Sequence, residues 1–298
     1  MLTNQMRLDA VDHVTGITAD GQRCLDFYAG VLGLPFVRRS RDFETPDSHL
    51  LCLAPEPGRP DGVLSFLEAG GVARGRVGNG MVHTLTWRVP AAESLDYWAQ
   101  RLAEAGIETD SVDPNAPGLR FSDPEGLAHE LVANGSAPDA APATQPCAVP
   151  AEHAIRGLVG VRAYGRETVS SADILAGRLG FRVTGQASYE VPGEERITAF
   201  AFDEPPAARG TLGAGTIHHV AWAGQGRLSA WRQRVIGMGC MATPVIDRGR
   251  CRSIYFREPS GVLFEIASRE DQAARLGPTE ADRSLSPKVD PRIRAALV

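Results

Sequence analysis

Four times in 298 residues, a strand-like run leads into a helical run that stops at a glycine and continues into extended segments. A chain duplicated in this way must build its fold by assembling copies of one small unit. The helical runs are 20–32, 91–105, 170–179 and 225–238. Leu25, Tyr28, Val31 and Leu32 share one face of the first, Leu95, Trp98 and Leu102 one face of the second, and Leu228, Trp231 and Val235 one face of the fourth. Gly33, Gly106, Gly180 and Gly239 end them, as left-handed C-caps do. Short strands are expected before them at 11–17, 81–89, 157–163 and 217–223, and strand-like runs follow, among them 49–53, 62–67, 198–202 and 253–256. The unit is β-α-β-β-β.

Two units carry a second repeated pattern. Glu265 stands four residues after Gly261 and 46 after His219; Glu130 stands four after Gly126 and 47 after His83. A strand histidine paired with a last-strand glutamate suits a metal site. Residues two apart in a strand share a face, so His13 points with Thr15, and His219 with Ala221. Two neutral imidazoles and one carboxylate form the facial triad of non-haem Fe(II), with positions left for substrate and O2; Mn(II) fits the same ligands. Two triads can be drawn, His13 with His83 and Glu130, or His13 with His219 and Glu265. The first strand of the third unit, Leu158-Val159-Gly160-Val161-Arg162, supplies no histidine. His218 precedes His219 on the opposite strand face, and His49 and His153 are assigned structural roles.

Composition narrows the class. The chain is 43% hydrophobic and 22% charged, enough apolar material for two domains of about 140 residues. We expect an N-terminal domain over 1–135, a linker rich in Ala, Pro, Ser and Gly over 136–152, a C-terminal domain over 153–270 and an extension over 271–298. A net charge of -5 gives no electrostatic support to a nucleic-acid partner. No apolar run reaches the ~18–20 residues of a membrane span, and the first residues lack a signal-peptide core, so a cytoplasmic location is expected. Five cysteines, an odd number without a CxxC pair, argue against disulfides and thiolate metal sites.

The motifs resemble a known family. Asp12-His13-Val14-Thr15-Gly16-Ile17-Thr18, then Phe27-Tyr28-Ala29-Gly30-Val31-Leu32-Gly33-Leu34, Asp123-Pro124-Glu125-Gly126-Leu127 with His129-Glu130-Leu131-Val132, Ala154-Ile155-Arg156-Gly157, and Asp247-Arg248 with Ser253-Ile254-Tyr255-Phe256-Arg257-Glu258-Pro259 are similar to the hydroquinone ring-cleaving branch of the vicinal-oxygen-chelate superfamily. The resemblance spans residues 8–268. It implies an α+β fold of four βαβββ units in two domains with curved mixed sheets. It implies a metal held by His13, His219 and Glu265, with the first and fourth units paired. The activity it implies is Fe(II)-dependent opening of a hydroquinone or catechol ring with O2, so the partners are a small aromatic substrate and O2; a homo-oligomer is compatible with it. Tyr255 and Arg248 match residues proposed near the metal, Tyr255 to donate or relay a proton and Arg248 to orient a phenolate. Thr15 is a candidate for a hydrogen bond within the site. Close members carry His where this chain has Asp12, which would supply a more acidic base. The alternatives are a glyoxalase-type lyase or isomerase, which commonly uses four protein ligands, and a non-enzymatic binding or resistance protein, which loses the ligands.

Overall fold

The computed structural model describes residues 6–41, 48–54, 62–113, 116–133, 149–193, 196–247 and 251–268. The four units are all present. The first comprises β1 (Leu8–Thr18), α1 (Gly21–Leu25), β2 (Phe36–Arg41), β3 (His49–Leu53) and β4 (Val63–Glu68). The second comprises β5 (Met81–Val89), α2 (Glu93–Glu104), β6 (Thr109–Asp113), β7 (Ala116–Ser122) and β8 (Ala128–Ala133). The third comprises β9 (Gly157–Tyr164), α3 (Thr168–Leu175), β10 (Arg182–Gly185), β11 (Ser188–Pro192) and β12 (Ile197–Asp203). The fourth comprises β13 (Thr216–Gly224), α4 (Leu228–Gly237), β14 (Ile246–Asp247), β15 (Arg252–Arg257) and β16 (Leu263–Ser268).

Within a unit the helix returns the chain to the sheet, so β1 and β4 lie side by side in parallel, as do β13 and β16. Units then join through their first strands. β1 pairs antiparallel with β13, which gives one eight-stranded sheet in the order β14-β15-β16-β13-β1-β4-β3-β2. β5 pairs antiparallel with β9, which gives the second, β10-β11-β12-β9-β5-β8-β7-β6. Both sheets are mixed, and with few helices the class is α+β. Each sheet draws one unit from residues 1–135 and one from 153–270, so sheets and sequence halves do not coincide. The expected linker falls largely on residues 134–148, and the extension on 269–298; both lie outside the described residues.

The expected helix over 20–32 is divided. Asp20 caps α1, its side chain accepting from the Arg23 N–H at 3.0 Å. From Asp26 to Val31 the chain winds as a π-helix before Gly33 turns it at φ 68°. Residue alternation separates the faces of each sheet. On the packed face, Trp87 of β5 meets His129, and Trp222 of β13 meets Phe181, Phe200 and Phe264; both are fully buried, as are Trp98 and Trp231 of the helices. Each buries roughly 150–250 Å², on the order of 4–6 kcal/mol as an upper bound by area. The opposite, inner face is left for the site. No helix among the described residues is long and apolar enough to cross a membrane.

Candidate metal centre

Strand register assembles the site. Glu265 on β16 lies beside Ala221 on β13, and Ala221 lies beside His13 on β1. Tyr255 on β15 extends this row on the far side of Glu265. His219 stands two residues before Ala221 and shares its face. Ala221 therefore occupies the middle of a triangle, and its methyl is small enough for three longer side chains to converge over it.

They do converge. One nitrogen from each of His13 and His219 and one oxygen from Glu265 lie within 4.8 Å of one another. Glu265 Oε2 is 3.0 Å from His219 Nε2 and 3.3 Å from His13 Nε2. Neither of its oxygens has a hydrogen bond of good geometry, although the residue is 1% exposed. A buried carboxylate is costly unless a cation stands beside it, a protonated imidazole or a metal ion held by neutral ones. The donor set and the orphaned oxygens fit a divalent metal.

The turn before β16 explains how Glu265 is aimed. Glu258 is buried, and its Oε1 accepts from Val262 N at 2.8 Å while Oε2 accepts from Ser260 N at 3.0 Å and Ser171 Oγ at 2.5 Å. Gly261 supplies φ 102°. Asp123 organises the equivalent turn before Glu130, its Oδ1 accepting from Glu125 N and Leu127 N, both at 2.8 Å.

Hydrogen bonds outside the triad fix its tautomers. Asp12 Oδ1 accepts from His13 Nδ1 at 2.8 Å. A register shift in β1 between Val11 and His13 brings the two adjacent side chains together. With the proton on Nδ1, Nε2 offers its lone pair to the centre. His219 Nδ1 lies 2.8 Å from His218 Nδ1. Donation from His219 leaves its Nε2 as the ligand atom in the same way. Burial pulls His13 down, but the charge of Glu265, the hydrogen bond to Asp12 and the close contact with Glu265 outweigh it and carry the imidazole to about 10. Glu265 is pushed up by burial, yet held well below the usual carboxylate range by His13 and His219. Ligation replaces that proton, so metal binding releases it.

The other expected site residues are placed as follows. Tyr255 sets its ring edge-on to His219, with centroids 5.4 Å apart. Thr15 is buried, and its hydroxyl pairs with Ser65 Oγ at 2.9 Å, one strand away from the ligands. Asp12 touches the far nitrogen of His13 instead of the open side of the centre. Arg248 lies outside the described residues. His218 does not join the triad, but its contact with His219 was not legible from strand alternation. His49 bonds Arg39 Nη2 at 3.2 Å, and His153 stacks on Tyr97 at 4.4 Å.

Among the described residues, the second sheet has no equivalent centre. Thr86 lies beside Glu130 and Gly160, as Ala221 lies beside Glu265 and His13. The counterparts of the ligands are thus Thr84, Gly160 and Glu130, and His83 corresponds to His218. This corrects the pairing of His83 with His219 by spacing to glutamate. The tryptophans carry the better signal, since Trp87 precedes Glu130, and Trp222 precedes Glu265, by 43 residues. Glu130 is instead neutralised by Arg120, at 2.6 Å. His83 bonds Asp203 at 2.9 Å and Thr84 at 2.8 Å, and burial holds it below its usual value.

A cavity of about 370 Å³ opens beside His219, lined by the apolar Met81, Val82, Ile217 and Leu263 and by the polar Asn79, His218 and Arg257 among others. A model of the glyoxalase/bleomycin resistance protein/dioxygenase superfamily matches residues 10–144. A Bacillus subtilis (strain 168) protein named as a ring-cleaving dioxygenase, MhqO, is 30% identical over 266 residues, covering 87% of this chain and 84% of its own. The chain belongs to this superfamily. A solved Bacillus subtilis subsp. subtilis str. 168 structure, titled as a dioxygenase, superposes with a TM-score of 0.79 at 26% identity, over 98% of this chain and 96% of its own. Glyoxalase I from Zea mays, at 14% identity and a TM-score of 0.66 over 92% of this chain and 98% of its own, shares the fold.

Proposed function

We propose that this protein is a dioxygenase that opens a hydroquinone or catechol ring with O2, using Fe(II) held by His13, His219 and Glu265. Mn(II) suits the same donors. The observation that carries the reading is the convergence of the buried Glu265 carboxylate with one nitrogen each of His13 and His219, all within 4.8 Å of one another. The ring-cleaving name of MhqO, 30% identical to this chain, supports the reaction class.

When bound, the metal supplies Lewis acidity and a template that holds a phenolic oxygen and O2 within reach. The chain supplies the rest. Asp12 and His218 hold the two imidazoles in the ligating tautomer. The apolar wall of Met81, Val82, Ile217 and Leu263 excludes water from the ring. Tyr255, whose ring meets His219 edge-on, donates or relays a proton at the ring. Arg248 orients the phenolate.

The test is O2 uptake by protein loaded anaerobically with Fe(II), across a panel of hydroquinones and catechols. Uptake with one ring class is expected, and none in His219→Ala, which should also lose its iron. Tyr255→Phe should retain iron and lower kcat by about 10²–10³-fold, the worth of one positioned proton-transfer group. Iron-loaded protein that consumes no O2 with any ring would refute the dioxygenase reading and favour oxygen-independent lyase chemistry or ligand binding.

A further inference from the structure

The cavity beside His219 is not isolated. A second pocket of about 410 Å³ adjoins it, and the two share Asn79 and Gly210 in their walls. The shared rim is tightly packed. A Cβ on Gly78 would lie 2.3 Å from Gly210 N, so the segments before β5 and before β13 are in direct backbone contact. Gly80, at φ 75°, packs on the carbonyl of Ser260 and closes the rim against the turn that aims Glu265.

The outer pocket carries Arg166 and Arg209, both exposed. Neither guanidinium makes a hydrogen bond or ion pair with a described residue; only the carbonyl of Arg209 is engaged, by Arg76. Arg257, on the wall of the inner cavity, spends one N–H on the Gly261 carbonyl at 2.7 Å. Among the described residues, no Asp or Glu lines either space, and Glu167 and Glu204, close in sequence to the outer arginines, do not line them. A path with three arginines and no acid is unexpected in a chain with 36 acidic and 31 basic residues. By contrast, the arginines on the second sheet are paired: Arg120 with Glu130, Arg162 with Asp203 and Arg182 with Glu190.

The geometry points to a substrate that is a dihydroxylated ring bearing an acidic side chain, with the ring in the inner cavity beside His219 and the anionic group turned outward to Arg166 and Arg209. This rests on the proposed ring-cleaving function and deepens it. A neutral ring would find the inner cavity sufficient and leave two unpaired cations at its mouth with nothing to bind. An acid on a short side chain gains charge-assisted hydrogen bonds there and is drawn towards the mouth by the local field.

The experiment is anaerobic calorimetric titration of the Fe(II)-loaded protein, so that binding is read without turnover. The ligands are 2,5-dihydroxyphenylacetate and 3,4-dihydroxyphenylacetate, each beside its methyl ester. One acid should bind about tenfold tighter than its ester, the scale of two exposed ion pairs, and the preference should shrink as salt is raised. Arg166→Gln/Arg209→Gln should abolish the preference and leave ester affinity unchanged, while Arg178→Gln, an exposed cation away from both pockets, should leave it intact. Equal binding of acid and ester, or a preference that survives the double substitution, overturns the proposal alone. Failure of every ring, acid or ester, to bind overturns the ring-cleaving reading together with it.

Discussion

A histidine can be buried for opposite purposes, and this chain does both. His129 is fully buried, and Trp87 Nε1, which can only donate, reaches its Nδ1 at 3.0 Å. Its proton therefore sits on Nε2, directed to Tyr28 Oη at 2.9 Å, and Tyr28 donates onward to Asp123 Oδ2 at 2.9 Å. Burial lowers His129 to about 3. Between that value and ~6.5 the unfolded chain binds a proton that the folded chain does not. Stability therefore rises with pH across this window and falls by about 1.4 kcal/mol per unit as pH drops. Urea midpoints of the metal-free protein from pH 6.5 to 5 should show that loss, and His129→Gln should flatten the slope; an unchanged slope would exclude His129 as its source. His13 contrasts with it, being paired by Asp12 to serve as a ligand. Asp12→Ala should weaken metal affinity by 10–100-fold, read by chelator competition. Asp12→Asn, which can still accept from Nδ1, should recover most of it. If Ala and Asn weaken binding equally, the carboxylate acts by charge and not by holding the tautomer.

At the scale of elements, much of the fold was legible because period and punctuation agree. Met81–Val89 and His49–Leu53 read as strands from their apolar patterns, and each stop glycine takes positive φ, from 68° at Gly33 to 84° at Gly239. The π-helix at Asp26–Val31 was not legible, because the hydrogen-bond shift that creates it leaves no mark on residue type. Nor was the strand register. Counting residues to Glu130 set His83 against His219, whereas a shift in β5 between Val82 and Thr84 lies at that very position. The importance of Ala221 also needed the register, since a strand alanine is ordinary until Glu265 and His13 are found on either side of it. Ala221→Leu should place its side chain where the three ligand atoms converge. The variant should fold, at a cost of about 1–3 kcal/mol for overpacking, yet bind no metal. A folded variant with full metal content would show that the ligands do not converge over this residue.

For the whole molecule, the consequence lies in how the halves of the chain are exchanged. His13 comes from the first unit, and His219 and Glu265 from the fourth, so the centre exists only where β1 meets β13. The same exchange makes β5 meet β9 in the other sheet. The Tyr28–Asp123–His129 chain then ties the first unit to the second, and Glu125 Oε1 accepts from Ala19 N at 2.9 Å. Separating residues 1–140 from 141–298 would expose two central strands on each fragment, edges with unmet hydrogen bonds and apolar inner faces. Each fragment alone should therefore aggregate or remain unfolded, and neither should bind a divalent metal at one equivalent. Refolded together, they should recover both sheets and one ion per pair, since the contacts across β1–β13 and β5–β9 do not require the peptide link between the halves. Metal analysis of the purified 1:1 complex decides it. A C-terminal fragment that binds a full equivalent alone would mean that His219 and Glu265 need no His13, and the pairing of the first and fourth units would then serve the fold and not the metal.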